Sequence, residues 1–292
     1  MITICLFGII ITVIINIDKK SSAQASFNDI EVTHMDQAVS RIENSLKVVE
    51  GPALAQASYL EPLPDATNHH VYFEILDSCF PEIDDECAYS YSEPSSTSTK
   101  RKALRQGMVL FVKRSITGHD GELWHEIDFP EWLRYPGRLQ LPWYVQDNIG
   151  KRFTNIGVLK LNSDTPETNK RIIIERSSQM LYAYEGEELF LATSTATGIL
   201  NTPTPRGHFT AFMKTPSRYM QGPIPGITSK YYDLPGVPWN IYFTHQGAII
   251  HGVYWHNNFG SPYSNGCVNL PTNIAREIYE WADLGMSIIV RD

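Results

Sequence analysis

Hydrophobic and polar positions divide the 292-residue chain into stretches of different character. Residues 2–17 are almost wholly apolar, and an Asp-Lys-Lys triplet follows them. The next residues, Ser22-Ala23-Gln24-Ala25, have the small-x-small ending at which a signal peptidase cuts. The run of sixteen apolar residues is shorter than the about 20 that a membrane-spanning helix usually needs. The pattern predicts a signal peptide or membrane anchor in residues 1–25, which places the rest in the cell wall or periplasm.

The following stretch changes from a helical pattern to an irregular one. Between residues 27 and 49, apolar side chains recur at steps of three and four, which predicts an amphipathic helix. Residues 59–105 are rich in proline, serine, threonine and acidic residues, which predicts loop. We therefore assign residues 26–106 to an N-terminal helix and a loop-rich region.

Two strand-like segments come next, at residues 107–112 and 123–127. The Gly118-His-Asp-Gly121 sequence between them predicts a turn. The arrangement is similar to bacterial SH3-like modules, and the alternative is that these strands extend the neighbouring domain. Residues 107–169 are assigned on this basis to a small β module and linker.

From residue 170 onward the chain predicts a mainly β domain. Apolar runs separated by turn sequences indicate short strands, and one periodic segment near the end indicates a helix. The predicted strands cover residues 171–175, 180–184, 189–193, 207–212, 241–244, 248–251 and 287–290, and the predicted helix covers residues 272–281. The last domain is assigned to residues 170–292.

Composition narrows the function classes. The chain has 32 acidic and 24 basic residues and a net charge of −8, so no global field attracts nucleic acid. Its four cysteines are too few for a disulfide scaffold. Cys79 and Cys87 lack a CxxC pattern or a histidine partner, so in an exported protein they predict a disulfide more than a metal pair. Cys5 lies in the predicted leader, which leaves Cys267 as an unpaired thiol in the mature chain.

The densest chemical signal surrounds Cys267. His251 precedes it by sixteen residues at a predicted strand end, and glycine lies directly before the cysteine. A thiol and an imidazole supply a nucleophile and its base, and glycine leaves room for a carbonyl group to approach. Two alternatives remain from composition alone: a buried structural cysteine, and a zinc site formed with His245, His251 and His256.

The segment resembles the catalytic signature of the L,D-transpeptidases, the YkuD-like family. That signature has a His-Gly pair followed at this distance by Ser-x-Gly-Cys, a hydrophobic residue and Arg or Asn, as in residues 251–252 and 264–269. Similar motifs occur in order at residues 179–184, 194–198, 202–207, 214–220 and 237–243. The resemblance covers about residues 171–291 and implies a β-sandwich with a short C-terminal helix.

The resemblance also implies roles for individual residues. Cys267 would attack a peptidoglycan tetrapeptide stem and form a thioester, and His251 would act as base and acid. The carbonyl of Gly252 would orient the imidazole, and backbone N–H groups of Gly266, Cys267 and Asn265 would hold the oxyanion. Many family members have His at the position of Asn265; asparagine cannot act as a base but can still form hydrogen bonds.

Further residues are expected to face or support the substrate: Ser264, Asn269, Tyr254, Trp255, Trp239, Met220, Lys214 and Arg218, with Tyr219, Tyr231 and Tyr232 as additional aromatics. Ser264 and Asn269 would brace the cysteine loop, and Lys214 and Arg218 would pair with stem carboxylates. The alternative for each aromatic residue is core packing, and for each cation a solvated surface position. His245 and His256 are expected to be structural.

The predicted function is therefore a cysteine acyltransferase of the L,D-transpeptidase type. Its partners are peptidoglycan stem peptides and carbapenem-type inhibitors, without nucleic acid, cofactor or metal, and with membrane contact only through an uncleaved N-terminal segment. Water as acceptor would make the same site a carboxypeptidase. A non-catalytic protein that binds the cell wall is the alternative from another class.

Overall fold

The structure is a computed structural model that describes residues 4–6, 9–11, 69–84 and 86–292. The chain divides into two compact units, residues 1–64 and 65–292. In the first unit, β1 (Ile4–Leu6) and β2 (Ile9–Ile11) pair antiparallel. The helix predicted over residues 27–49 lies outside the described residues, and the export segment stays a prediction.

The second unit begins with a seven-stranded antiparallel sheet, here called the first sheet. Its order is β5-β4-β8-β7-β6-β3-β9. Its strands are β3 (His70–Ile75), β4 (Tyr89–Tyr91), β5 (Lys100–Ala103), β6 (Val109–Thr117), β7 (Leu123–Asp128), β8 (Trp143–Gln146) and β9 (Gly150–Asn155). Short 3₁₀ turns at Pro136–Arg138 and Asp147–Ile149 flank β8. Phe73, Leu110 and Val145 are buried in its core.

The prediction of loop over residues 59–105 is wrong for β3, β4 and β5. β4 is short and β5 is rich in charged residues, and pairing with the rest of the sheet outweighs their local composition. β3 has the strand-like sequence His-Val-Tyr-Phe-Glu-Ile, which the polar composition of the surrounding stretch obscured. The first sheet thus begins well before Gly107, although β6 and β7 confirm the two strands predicted there. Cys79 and Cys87 form a disulfide, as predicted, in the connection between β3 and β4.

Two five-stranded sheets follow, here called the second and third sheets. The second has the order β13-β12-β11-β19-β14, and the third has the order β10-β15-β16-β17-β18. Their elements are β10 (Leu159–Lys160), β11 (Lys170–Glu175), β12 (Met180–Glu185), β13 (Glu188–Ser194), β14 (Gly207–Thr210), β15 (Met213–Ile224), β16 (Thr228–Tyr242), β17 (Ile249–Val253), β18 (Val268–Pro271), α1 (Thr272–Trp281) and β19 (Ser287–Arg291).

Side chains of the second and third sheets share one core with α1. Ile172 and Leu181 from the second sheet, Ile250 from the third and Ile278 from the helix are all buried in it. The mainly β fold with a short C-terminal helix is confirmed, and so is the helix over residues 272–281. In the part of the chain that the structure describes, no helix has the length and apolar character needed to cross a membrane.

The long hairpin of β15 and β16 was not predicted, except for the end of β16. Prolines interrupt both strands, at Pro216, Pro223, Pro235 and Pro238, and proline removes a backbone donor from a strand. The structure accommodates them by shifting the pairing register twice along the hairpin. The prolines therefore argue against strands in the sequence, although β15 and β16 pair along the hairpin in the structure.

Candidate active site

One end of the third sheet opens into a cavity of about 490 Å³. His251 lies on β17, and Cys267 directly precedes β18. These strands pair in parallel, with His251 opposite Asn269, so the imidazole and the thiol are brought to the same cavity wall. The two residues, sixteen positions apart in the sequence, are thus placed at one cavity through a parallel strand pair.

His251 is buried, with 2% of its surface exposed. Its Nδ1 lies 2.9 Å from the carbonyl oxygen of Gly252, the contact predicted from the sequence. Because a carbonyl can only accept, Nδ1 carries the hydrogen and Nε2 of the neutral ring is an acceptor. Among the described residues no group donates to Nε2. Burial lowers the pKa of His251 to about 4, so the ring is neutral at pH 7.

The Cys267 thiol is half-buried and donates to the carbonyl oxygen of Gly247, with Sγ and oxygen 3.7 Å apart. Burial raises the pKa of this thiol to about 11. The resting pair is therefore a neutral thiol and a neutral imidazole. A preformed thiolate-imidazolium pair is not the state that this environment favours.

The loop before Cys267 is braced by Ser264. Its hydroxyl donates to the carbonyl oxygen of Cys267 at 2.5 Å and accepts the N–H of Gly266 at 3.1 Å. Gly266 has φ of 112°, a conformation that favours glycine. The expectation that the Gly266 N–H is an oxyanion donor is corrected, because Ser264 already occupies it. Among the described residues, the N–H groups of Asn265 and Cys267 have no acceptor and remain available.

A second hydroxyl supports the same loop from the opposite side. Thr204 accepts the N–H of Gly198 at 2.9 Å and donates to the Cys267 carbonyl oxygen at 3.3 Å. A Cβ on Gly198 would lie 2.1 Å from the carbonyl oxygen of Thr202, so only glycine fits there. Gly198 and Thr204 belong to the motifs at residues 194–198 and 202–207, for which no role was predicted. In the structure they support the cysteine loop.

Asn269 also has a bracing position. Its side-chain amide lies 2.9 Å from Nε2 of His256, and the backbone N–H of Asn258 donates to Nδ1 of the same ring. His256 is buried, and burial lowers its pKa to about 4. His245 stacks on Phe212 with ring centroids 4.4 Å apart. Both histidines therefore have packing partners in place of a ligand.

Among the aromatic and charged candidates, the structure places one group at the cavity and a second group elsewhere. Lining residues include Met220, Arg218, Trp255, Tyr219 and Tyr232. The Trp255 ring lies 5.8 Å from the His251 ring, measured between centroids, and covers the buried imidazole. These side chains can contact a bound peptide.

Trp239, Tyr254 and Lys214 are corrected, because none of them lines the cavity. Trp239 is buried in the core, where its ring lies 5.3 Å from that of Tyr279. Tyr254 is fully buried and donates its hydroxyl to the Pro235 carbonyl oxygen at 2.6 Å. Lys214 donates to backbone carbonyls at the end of α1, so its charge stabilises the helix C-terminus. Tyr231 is exposed outside the cavity lining.

Trp132, Arg134 and Lys230 are among the residues of the cavity wall that sequence reasoning missed. Lys230 lies on β16, in a strand that was not predicted. Trp132 and Arg134 follow β7 of the first sheet, more than 130 positions before Cys267. The only local signal that could have pointed to them is a tryptophan two positions before an arginine.

Among the described residues, the ligand-type side chains that lie close enough together to hold a metal ion are Cys79, Asp84 and Cys87, and the two sulfur atoms are joined to each other. The histidines and the cysteine considered for zinc do not form such a cluster. Sulfur in a disulfide has no thiolate to offer a metal ion.

Comparison with known proteins identifies the matched part of the chain. The model of the YkuD family, the L,D-transpeptidase catalytic domain, matches residues 169–290. The resemblance predicted from the sequence is confirmed, and this segment is an L,D-transpeptidase-type catalytic domain. Residues 1–168 lie outside the match. A comparison with curated protein sequences finds no significant match.

Similar solved structures include an L,D-transpeptidase from Mycobacterium smegmatis, at 20% identity and a TM-score of 0.40, covering 58% of this chain and 90% of that one. An LD transpeptidase in complex with imipenem is 17% identical with a TM-score of 0.40, covering 57% and 90%. The Ldtfm-avibactam carbamoyl enzyme is 23% identical with a TM-score of 0.38, covering 42% of this chain and 49% of that one.

Proposed function

We propose that this protein is an exported peptidoglycan L,D-transpeptidase that works through a Cys267 thioester. The observation that carries the proposal is the hydrogen bond from His251 Nδ1 to the Gly252 carbonyl. It leaves Nε2 as a proton acceptor in the same cavity wall as the free thiol of Cys267. The matched family and the predicted export segment supply the substrate class and the compartment.

In the first half-reaction, Sγ of Cys267 attacks the carbonyl carbon that joins the stem to its terminal D-Ala. In the resting state the thiol donates its hydrogen to the Gly247 carbonyl oxygen. The proton is transferred to Nε2 of His251 as the sulfur–carbon bond forms. Neutral resting states favour this concerted transfer, because burial opposes charge on both groups before substrate arrives. The N–H groups of Cys267 and Asn265 donate hydrogen bonds to the carbonyl oxygen and stabilise the negative charge that develops on it.

Protonated His251 then gives its proton to the departing amine of D-Ala, and the thioester remains on Cys267. An amine from a second stem attacks the thioester, Nε2 takes its proton, and sulfur leaves to be protonated again. The thioester conserves the energy of the cleaved peptide bond for ligation without ATP. If water reaches the thioester instead, the product is a shortened stem, as in a carboxypeptidase.

The test is mass measurement after incubation with a carbapenem and, separately, with a tetrapeptide stem. We expect a stoichiometric covalent carbapenem adduct on the wild-type protein and none on Cys267→Ala, because the acceptor sulfur is gone. Cys267→Ser serves as the matched control, because it replaces the thiol by a hydroxyl of similar shape that is a poorer nucleophile. An adduct that persists in Cys267→Ala would contradict the assigned nucleophile.

The stem peptide separates the alternatives. Cross-linked product with an added acceptor stem supports transpeptidation, and release of D-Ala without cross-links supports the carboxypeptidase. Binding of the stem without an adduct or product at high enzyme concentration would contradict both enzymes and favour the wall-binding alternative. Loss of residues 1–25 from protein recovered from a bacterial host would test the predicted signal peptide.

A further inference from the structure

The catalytic cavity is cationic in a protein whose net charge is −8. Arg134, Arg218 and Lys230 line it, and no Asp or Glu is among its lining residues. Among the described residues, none of these three cations forms an ion pair. Unpaired like charges in a concave site repel each other and attract an anionic ligand.

The carboxyl group of Glu131 interacts with Arg218 from outside the cavity lining. Its Oε1 accepts the N–H of Tyr219 at 2.6 Å. Burial raises the pKa of Glu131, whereas this hydrogen bond and the charge of Arg218 act in the opposite direction. Arg134 and Lys230 have no carboxylate partner among the described residues, so their charge is available to a bound molecule.

Arg134 reaches the cavity from residues 129–138, here called the arm, which lie in the connection between β7 and β8 of the first sheet. Along the arm, Leu133 and Tyr135 are half-buried, whereas Trp132 and Arg134 are exposed. The alternation turns Trp132 and Arg134 to the cavity, with the guanidinium 5.3 Å from the centroid of the Trp132 ring. Trp132 remains 67% exposed, an unusual position for tryptophan unless it covers a ligand.

Three attachments hold the arm on β15. In addition to the Glu131 contact, the side-chain amide of Gln221 accepts the N–H of Tyr135 at 2.8 Å and donates to its carbonyl oxygen at 3.1 Å. The hydroxyl of Tyr135 donates to the carbonyl oxygen of Pro223 at 2.8 Å. The register shift between Arg218 and Met220 turns the Tyr219 N–H outward, which makes it available to Glu131.

Arg138 adds a further contact, because its Nη1 donates to the carbonyl oxygen of Gly222 at 2.6 Å. Its guanidinium also lies over the rings of Tyr135 and Tyr231, at 3.9 and 4.4 Å from their centroids. An arm fixed by these contacts before substrate arrives spends little conformational entropy on binding. Arg134 acts electrostatically on Tyr232 of strand β16, and both residues line the cavity.

We propose that the arm completes an anion subsite in which Arg134 binds a carboxylate of the peptide substrate and Trp132 covers the apolar atoms next to it. The identity of the substrate rests on the proposed function, whereas the charge of the cavity does not. A guanidinium suits a carboxylate because it can donate two parallel hydrogen bonds. The arm precedes residue 169, so the first sheet supplies specificity to a reaction carried out by the matched domain.

The test compares Arg134→Gln with Arg134→Lys on two substrates: a tetrapeptide stem with free side-chain carboxylates, and the same stem with those carboxylates amidated. Arg101→Gln is the control, since Arg101 is exposed on β5 of the same sheet and does not line the cavity. For Arg134→Gln we expect KM for the acidic stem to rise on the order of tenfold, the size of one charge-assisted hydrogen bond, with kcat within about twofold.

The amidated stem should discriminate between charge recognition and structural damage. Its KM should change less than about twofold in Arg134→Gln, and Arg134→Lys should fall between wild type and Arg134→Gln because lysine keeps the charge without the second hydrogen bond. Arg101→Gln should behave as wild type with both stems. An unchanged KM for the acidic stem, or an equal rise for both stems, would overturn the subsite.

A binding measurement keeps this result separate from the proposed function. Calorimetric titration of Cys267→Ser with both stems needs no turnover, and adding Arg134→Gln should weaken the acidic stem alone on the order of tenfold. Selective binding without turnover by the wild-type protein would refute the transpeptidase and keep the subsite. Equal affinity of Cys267→Ser for the two stems would overturn the subsite even if the wild-type protein is an active transpeptidase.

Discussion

Two buried histidines, one in the first sheet and one in the third, differ in what surrounds their nitrogen atoms. His125 in the first sheet has Nδ1 at 2.9 Å from the hydroxyl of Ser115 and Nε2 at 2.8 Å from Asp147. His251 has one partner, the Gly252 carbonyl, and its Nε2 has none among the described residues. Burial lowers the pKa of both rings. The comparison teaches that a saturated imidazole stabilises a fold, whereas a half-saturated one can accept a proton.

Charged groups in the same two regions follow the same division. Glu126 of the first sheet is paired with Lys113 and Arg114, with nitrogen–oxygen distances of 2.8 and 2.6 Å. Arg134, in the connection between β7 and β8 of the same sheet, lines the cavity and has no carboxylate partner in the described part of the chain. The cavity therefore contains an imidazole nitrogen without a donor and a cation without a carboxylate among the described residues, as expected for a site whose partner is a ligand.

The largest expected effect comes from exchanging each histidine for glutamine. We expect His251→Gln to slow acylation by roughly 10²- to 10⁴-fold, because no base then takes the thiol proton. His125→Gln should leave the acylation rate within about twofold and lower the free energy of unfolding by about 1–3 kcal/mol through its broken hydrogen bonds. Stopped-flow acylation by a carbapenem and urea unfolding measure the two quantities. Equal acylation rates in the two variants would remove the functional distinction.

Acid should destabilise the protein by protonating the buried imidazoles of His251 and His256. The pKa of His251 falls from 6.5 to about 4 on folding, and so does that of His256. Between these values the unfolded chain binds more protons, so stability falls as pH decreases from 6.5 towards 4. A shift of this size corresponds to about 3 kcal/mol for each histidine at the acid end.

Urea unfolding at several pH values checks this. In His251→Gln the dependence of the unfolding free energy on pH should become shallower by up to about 1.4 kcal/mol per pH unit near pH 5, the contribution of one proton. Carboxyl groups contribute equally in wild type and variant and cancel in the difference. Identical slopes in the two proteins would show that His251 is not held neutral by burial.

The smallest effect is expected at the loop that supports Cys267. Ser264→Ala removes the bonds to the Cys267 carbonyl and the Gly266 N–H, which should cost about 1–3 kcal/mol of stability. Its kcat should decrease roughly tenfold, since a misplaced oxyanion donor costs one to a few kcal/mol. Ser287→Ala, at an exposed position of β19, is the control. Unchanged kcat in Ser264→Ala would mean that the loop holds its shape without this hydroxyl.

Local pattern was sufficient for a large part of the fold. Alternating apolar positions and turn sequences predicted β11, β12 and β13, and helical periodicity predicted α1. β4, β5 and the long hairpin contain charges, serines or prolines that argue against a strand when taken alone, whereas the apolar β3 lies in a stretch whose overall composition predicts loop. Their strand conformation is supported by neighbours distant in sequence, such as β9 beside β3 and the arm beside β15.

The site divides in a similar way. The family signature identified Cys267, His251 and the carbonyl of Gly252, because their spacing along two short strands is itself the signal. It could not show that Ser264 already occupies the Gly266 N–H, since that depends on a hydroxyl direction. Nor could it separate Trp255, at the cavity, from Tyr254, in the core, because adjacent residues of similar chemistry carry the same sequence signal.

The sequence by itself determined the mainly β class, the unpaired thiol and the disulfide of Cys79 with Cys87, and it predicted a histidine partner for the thiol, because each depends on residue type and short spacing. Only the tertiary structure decided the protonation of the resting pair, which follows from burial. Only it joined Arg134 to the cavity of His251 and Cys267, which lie more than 110 positions away. The arm reaches the cavity by hydrogen bonds to β15, and contacts over such separations leave no periodicity in the sequence.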